Sequence, residues 1–330
     1  MTKKSRIVSE PEVKQEEITY SRLSRFLECP MKEYYSYRVN GTGIKPVQTP
    51  VPFIEGSFLH YALEHFHGQG QQMLRKNLEK KVVESINELG AIDVELHNKL
   101  QTKLAAMMGA CFGYKVQYIG DKKRYETLGV EVPFELDFEG FKLRGKIDWI
   151  AKEIETGHII IFENKSTSSS TGQLTARYTQ LPLDLQGLIY GMGAETILKK
   201  MPDYKGWNFI VKTKLRRRGS IEKGNLETLP SYEARIQNEY VEAPEKMFFR
   251  PPPLKILPRH TDFLKAELIK ILKRWDDEPC MSFNCLGMFG LPCTYLDACR
   301  EKMAGVKDGW DSGKCLGLYK LKEAQYTELI

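Results

Sequence analysis

The sequence has no apolar run long enough to cross a bilayer. Its densest stretches, such as Ile159 to Phe162, are a few residues long, where a spanning helix needs about 20. Met1 to Glu17 is polar and charged without an apolar core, so no secretory signal is expected. There is no low-complexity tract, no internal repeat and no Gly-x-x-x-x-Gly-Lys-Ser/Thr phosphate loop, which excludes a P-loop nucleotide site. Neither sign of charge dominates: 49 Lys and Arg against 43 Asp and Glu leave +6. That balance permits an anionic partner without demanding one. The composition is ordinarily globular, and a soluble, cytoplasmic chain is expected. Its 330 residues suffice for one large domain with insertions or two small ones.

Alternation and turn signals give a coarse plan. Residues 1–17 are expected to be disordered. Ser21 opens a helical pattern with Leu23, Phe26, Leu27 and Tyr34 on one side, and Gly41 to Pro52 is a Gly/Pro-rich loop. Ser57 can cap a helix running to about Phe66, and Leu74 to Tyr118 holds one or two amphipathic helices. Val130, Val132, Phe134 and Leu136 alternate as in a strand. Gly140 then turns the chain into Leu143–Ile150 and His158–Phe162, which read as a hairpin. A helix is predicted over Leu183–Leu198, strands over Trp207–Lys212 and Glu233–Ala243, and a helix over Phe263–Trp275. The order implies an α/β or α+β class. It divides into a tail (1–17), a helical region (18–127), a sheet-bearing core (128–262), and a C-terminal helix with a cysteine-rich tail (263–330).

The chemistry concentrates on the predicted hairpin. Side chains alternate along a strand, so Glu163 and Lys165 project together while Asn164 points away, and the hairpin would bring Asp148 beside them. Two carboxylates and an ammonium at the mouth of an apolar sheet form a hard-oxygen site suited to Mg²⁺ or Mn²⁺. Such an ion could polarise a phosphate and activate water. A Glu-x-Lys by itself reads as a strand-end ion pair of little consequence. Three further features favour a site: His60 on an upstream helix, and Gln186 and Tyr190, four apart on one helical face. Glu131 lies one strand earlier, with a weaker claim. Lys212, Lys214, Arg216, Arg217 and Arg218 fall within seven residues, either as a solvated hairpin tip or as a phosphate contact. Tyr34, Tyr35 and Tyr37 with Arg38, and Phe248 and Phe249 with Arg250, offer base stacking or core packing.

In order, Gly56…His60, Gly145-Lys146-Ile147-Asp148, Glu163-Asn164-Lys165 and Gln186…Tyr190 resemble the PD-(D/E)XK nuclease superfamily. Within it they are similar to the RecB-like exonuclease group, with the AddB nuclease domain, CRISPR-associated RecB-like nucleases and phage homologues. The resemblance runs from about Ser21 to Cys299. It implies a restriction-endonuclease-like core, a central mixed β-sheet flanked by helices. It also implies that His60, Asp148, Glu163 and the carbonyl of Asn164 bind metal, that Lys165 is the catalytic lysine, and that Gln186 and Tyr190 support the substrate. Many relatives carry Asp where this chain has Glu163; the superfamily accepts either acid.

Seven cysteines without a signal segment argue against a disulfide framework. Cys111 sits in an apolar run and reads as a small buried hydrophobe. Cys280, Cys285, Cys293 and Cys299 crowd together, which points to zinc or an iron–sulfur cluster. The distribution resembles the iron–sulfur nucleases of the same group, in which one N-terminal cysteine joins three near the C-terminus. That resemblance implies a 4Fe-4S cluster on Cys29, Cys285, Cys293 and Cys299, with zinc as the alternative. The group's tighter Cys-x₂-Cys spacing is absent here. Cys285 is preferred to Cys280, with Cys315 a substitute. The cluster would staple the N-terminal helix to the tail, so that its loss costs folding rather than chemistry. The resemblance further implies an exonuclease acting on DNA ends or single strands in recombination, repair or phage DNA metabolism, with any helicase partner a separate protein. Two alternatives are a non-catalytic iron–sulfur or zinc DNA-binding subunit and a structure-specific endonuclease.

Overall fold

The computed structural model describes residues 17–47, 51–68, 73–87, 94–282, 293–311, 315 and 317–322. In chain order these form β1 (Glu17–Thr19), α1 (Tyr20–Glu28), α2 (Pro30–Tyr37), β2 (Ile44–Pro46), α3 (Val51–Gly68), α4 (Arg75–Asn87) and α5 (Val94–Gln117). A short α6 (Asp121–Arg124) leads into β3 (Tyr125–Phe138), β4 (Phe141–Glu153) and β5 (Ile159–Thr167). Next come α7 (Thr171–Tyr178), α8 (Leu185–Leu198), β6 (Tyr204–Val211), α9 (Leu229–Glu242) and α10 (Pro244–Met247). The chain closes with β7 (Phe248–Phe249), β8 (Leu254–Lys255), α11 (Pro258–Leu272), α12 (Leu296–Met303) and β9 (Tyr319–Leu321). No described helix is long and apolar enough to cross a membrane.

The sheet is mixed, in the order β1-β4-β5-β6-β7, with β3 on the other edge of β4 and β8 beside β7 on β6. This is the α/β plan expected, a central mixed sheet with helices on both faces. One face carries α1, α8 and α11, whose Leu23, Leu188 and Leu268 pack with Leu143, Ile147, Ile150 and Ile161 of the sheet. The other carries α3, α4, α5 and α9. The alternation of β5 divides its side chains cleanly: Ile161 meets the α8 layer, while Ile160 and Phe162 pack with Trp149 and Tyr125 on the opposite side.

One detail of the register makes the site. Along one edge β4 pairs with β1 over Lys142–Arg144 and with β5 over Trp149–Lys152. Gly145 to Asp148 lie in the notch between these two ladders. β5 departs from β4 beyond Phe162 and continues beside β6 as far as Thr167. Glu163 and Lys165 therefore stand on the far bank of a fork whose near bank ends in Asp148.

Several local expectations change. Glu17, assigned to the tail, is the first residue of β1; residues 1–16 lie outside the described residues. The helix expected from Ser57 begins at Val51, where Pro52 fits the first turn because that N–H has no partner in a helix. The loop expected over Gly41–Pro52 contains β2, which pairs with β9 of the C-terminal tail. Glu233–Ala243 is not a strand but most of α9: Thr228 caps it by accepting from the Ser231 N–H, and Pro230 sits in its first turn. Gly109 and Gly113 of α5 let α9 approach closely. A Cβ on Gly109 would lie 2.7 Å from the Glu233 carbonyl oxygen, and one on Gly113 would lie 2.4 Å from Tyr240 Cβ. The basic run is accordingly a strand-to-helix loop and not a hairpin tip.

Candidate active site

Five elements converge on the fork. His60 comes from α3, Glu131 from β3, Asp148 from β4, Glu163 and Lys165 from β5, and Gln186 from the first turn of α8. That turn is fixed by Asp184, whose carboxylate accepts the N–H groups of Gln186 and Gly187 at 3.2 and 3.3 Å. Lys165 Nζ donates to Glu163 Oε1 at 2.7 Å and to Gln186 Oε1 at 2.8 Å, and Gln186 Nε2 donates back to Glu163 Oε1 at 2.6 Å. The three side chains thus form a closed triangle that holds the ammonium at the cleft mouth, where Lys165 is 42% exposed.

Across the fork, Asp148 Oδ2 accepts the Asn164 N–H at 2.6 Å. Its other oxygen, Oδ1, lies 3.5 Å from His60 Nδ1. Glu131 Oε1 is also 3.5 Å from that nitrogen, while Glu131 Oε2 meets Lys146 Nζ at 2.6 Å. Among the described residues, His60, Glu131 and Asp148 present ligand atoms all within 4.8 Å of one another. Glu131 reaches this position from a left-handed backbone, φ +47°, an unusual conformation for a residue with a long side chain. The sequence pattern ranked it low, because alternation between Val130 and Val132 gives no sign of such a twist.

The electrostatics follow from crowding acids into a dry fork. Burial and the Asp148 charge push the Glu163 carboxyl up to about 7, against the opposing pull of Lys165 and His60. Burial would lower His60, but Asp148 and Glu131 overcome it and push the imidazole up to about 10. Burial opposes the charge on Lys165 too, and is outweighed by Glu163, so its pKa rises. Burial and neighbouring carboxylates thus favour the protonated forms of Glu163 and His60. Glu163 Oε2 is buried without a hydrogen-bond partner, a costly state for a carboxylate oxygen. Hard oxygen donors, one imidazole and an orphaned carboxylate oxygen fit a small divalent cation such as Mg²⁺ or Mn²⁺.

Tyr190 lies deeper, 5% exposed, with its ring edge-on to Phe134 at 5.6 Å and its hydroxyl beside Gln186. A Cβ at Gly145 would be 2.7 Å from Phe134 and 3.1 Å from Tyr190. The glycine of Gly145-Lys146-Ile147-Asp148 is thus what lets both rings cross β4. Asn164 points away from the cleft as expected: its Oδ1 accepts from Asn208 Nδ2 at 2.8 Å. Asn208 Oδ1 in turn accepts from Arg250 Nε. Arg250 also donates to Asp121 Oδ2 and to the Tyr114 hydroxyl, each at 2.7 Å, and stacks on Tyr118. Arg250 and Phe248 are core, not a stacking surface for bases.

The cysteines are gathered elsewhere. Cys29, in the break between α1 and α2, and Cys293 and Cys299, before and within α12, share one apolar layer with Met31, Tyr35, Tyr295 and Cys315. Cys285 lies outside the described residues. N-terminal and C-terminal segments are clasped here by the Met31 N–H on the Cys280 carbonyl oxygen at 3.1 Å and by the Tyr295 hydroxyl on the Ile44 carbonyl oxygen at 3.0 Å. Cys111 is fully buried in α5, and burial pushes its thiol up to about 12.

A family model described as the PD-(D/E)XK nuclease superfamily matches residues 17–286. No curated protein matches the chain.

Proposed function

The chain belongs to the PD-(D/E)XK nuclease superfamily, and from that premise we propose that it is a divalent-metal-dependent exonuclease hydrolysing phosphodiester bonds at DNA ends or in single strands. One observation carries the chemistry: Asp148, Glu163 and Lys165 meet at one fork, with Glu163 Oε2 buried and partnerless. His60, Glu131, Asp148 and Glu163, with the Asn164 carbonyl, would hold Mg²⁺ or Mn²⁺. When bound, the cation supplies Lewis-acid polarisation of the scissile phosphate and a lowered pKa for water.

The protein groups do the rest. The triangle with Glu163 and Gln186 fixes the Lys165 ammonium so that it can stabilise charge developing on the phosphate oxygens without reorganising. The second Gln186 contact keeps Glu163 Oε1 engaged and leaves Oε2 for the cation. Tyr190 supports Gln186 from below. Asn164 N–H fixes one oxygen of Asp148 and turns the other toward His60.

The finer assignment is to the RecB-like group, acting in recombination, repair or phage DNA metabolism in the cytoplasm beside a separate helicase. The layer joining Cys29 to Cys293 and Cys299 supports a 4Fe-4S staple, or zinc, with Cys285 preferred to Cys280 as the fourth thiolate and Cys315 a weaker substitute. Incubating end-labelled single- and double-stranded DNA with the protein, with and without Mg²⁺ or Mn²⁺, tests the reading. Linear DNA should be degraded from its ends; cutting of closed circles would make the enzyme an endonuclease.

A further inference from the structure

In the layer of α3, α5 and α9 lies a cavity of about 210 Å³ whose lining includes Lys103, Lys212, Arg216 and Arg217 around Glu55, with Met107, Tyr232 and Tyr240. One water needs only ~10–15 Å³ of such space, so the cavity has room for a phosphate group. Four cations against one lining acid make it an anion site. Glu55 is 4% exposed, and its two oxygens hold Lys212 at 2.6 Å and Lys103 at 3.8 Å. A buried acid that fixes two ammonium groups at a cavity wall orients them in advance.

The wall that carries the arginines is equally built. Side chains of α9 tie down carbonyls at the end of β6 and in the loop after it. The Tyr232 hydroxyl donates to the Leu215 carbonyl oxygen at 2.8 Å, Arg235 to that of Arg216 at 2.7 Å, and the Tyr240 hydroxyl to that of Val211 at 2.5 Å. Arg217 Nε is itself held by the Glu227 carbonyl oxygen at 2.8 Å. A basic run that merely solvated the surface would need none of these bonds.

The cavity is also placed to serve the fork. Glu55 precedes His60 by five residues on α3, about 7.5 Å of helix rise. The Lys212 N–H donates to the carbonyl oxygen of Thr167, two residues beyond Lys165, at 2.7 Å. We propose that this cavity is a phosphate subsite that grips the substrate strand beside the scissile bond. The inference rests on the nuclease reading above and names where its substrate is held.

Changing Lys103 and Arg216 gives up the long 3.8 Å contact of Lys103 to Glu55 but keeps the 2.6 Å pair of Glu55 and Lys212. Binding of a labelled single strand to Lys103→Ala/Arg216→Ala is compared with the parent across a salt series. The control is Lys200→Ala/Lys270→Ala, which removes the same charge from two exposed lysines elsewhere. The subsite variant should raise Kd about tenfold or more and reduce the salt slope by about 1.4, two contacts at ~0.7 each. The control should do neither. Equal losses for 5′-phosphorylated, 3′-phosphorylated and unphosphorylated strands assign the site to an internal phosphodiester. A loss confined to one phosphorylated end assigns it to a terminal phosphomonoester. If the subsite variant binds like the parent or like the control, the subsite is wrong, even where the parent cleaves DNA. If the subsite variant loses binding but the parent never cleaves with Mg²⁺ or Mn²⁺, the nuclease reading fails and the subsite stands.

Discussion

Arg250 supports the Asp148 side of the fork through Asn208 and Asn164, and Arg250→Met tests that support. The guanidinium is buried between Asp121, Tyr114 and Asn208, and Asn208 passes its constraint to Asn164 and so to Asp148. Methionine fills much of the same volume but leaves Asp121 as an uncompensated carboxylate, which for a buried pair costs about 3–5 kcal/mol. Against a total stability of about 5–15 kcal/mol, and at roughly 1.5 °C per kcal/mol for 330 residues, the melting temperature should fall by about 4–7 °C. Adding Asp121→Asn should recover about 1–3 kcal/mol, because the unpaired charge is then gone. Calorimetry of the parent, both single variants and the double variant gives this cycle directly. Titration with Mn²⁺ should show affinity lowered about tenfold or more, as loss of an outer support does at other metal sites. An Arg250→Met protein within ~1 kcal/mol of the parent and with unchanged Mn²⁺ affinity would refute the chain of contacts from Arg250 to Asp148.

Three further outcomes are expected. His67 is buried, stacked on Trp149 at 3.9 Å, and held well below its ordinary value of 6.5 by burial and by Arg250. The unfolded chain therefore takes up a proton that the folded one refuses. Its stability contribution is full above about pH 6.5 and is lost as pH falls toward the depressed folded value, by up to ~1.4 kcal/mol per pH unit; His67→Phe should flatten that part of a melting-temperature profile. Gly113→Ala should destabilise by about 1–3 kcal/mol through overpacking against Tyr240, measurable by urea unfolding, and an unchanged midpoint would place α9 further from α5. Because His60 holds its proton up to about 10, cation binding must release it. Mn²⁺ affinity should therefore rise with pH through neutrality, and calorimetry in buffers of different ionisation enthalpy should register proton release.

How much of this could be read from the sequence depends on whether the signal was local. Asp148, Glu163 and Lys165 were legible because strand alternation and a short connection suffice to bring them together. Gln186 was legible from its place at the head of a helix. Glu131 was undervalued, since its carboxylate reaches His60 through a left-handed backbone and not through alternation. α9 was misread for a reason of parity: Tyr232, Ile236 and Tyr240 are spaced by four, which keeps them on one face of a strand and of a helix alike. The residues that decide the matter, Gly109 and Gly113, lie on α5 far upstream. The same distance hid Arg250 and Asn208, whose roles arise only when β6 and β7 lie beside one another.

The most direct test of the central claim is cleavage of end-labelled DNA by the parent, Asp148→Asn and Lys165→Met with Mg²⁺ or Mn²⁺. Both substitutions are close in shape, so folding should persist and can be verified by circular dichroism. Metal-dependent degradation by the parent is expected, abolished by chelator and reduced about 10²–10³-fold or more in each variant. Folded variants that cleave as fast as the parent would contradict the claim.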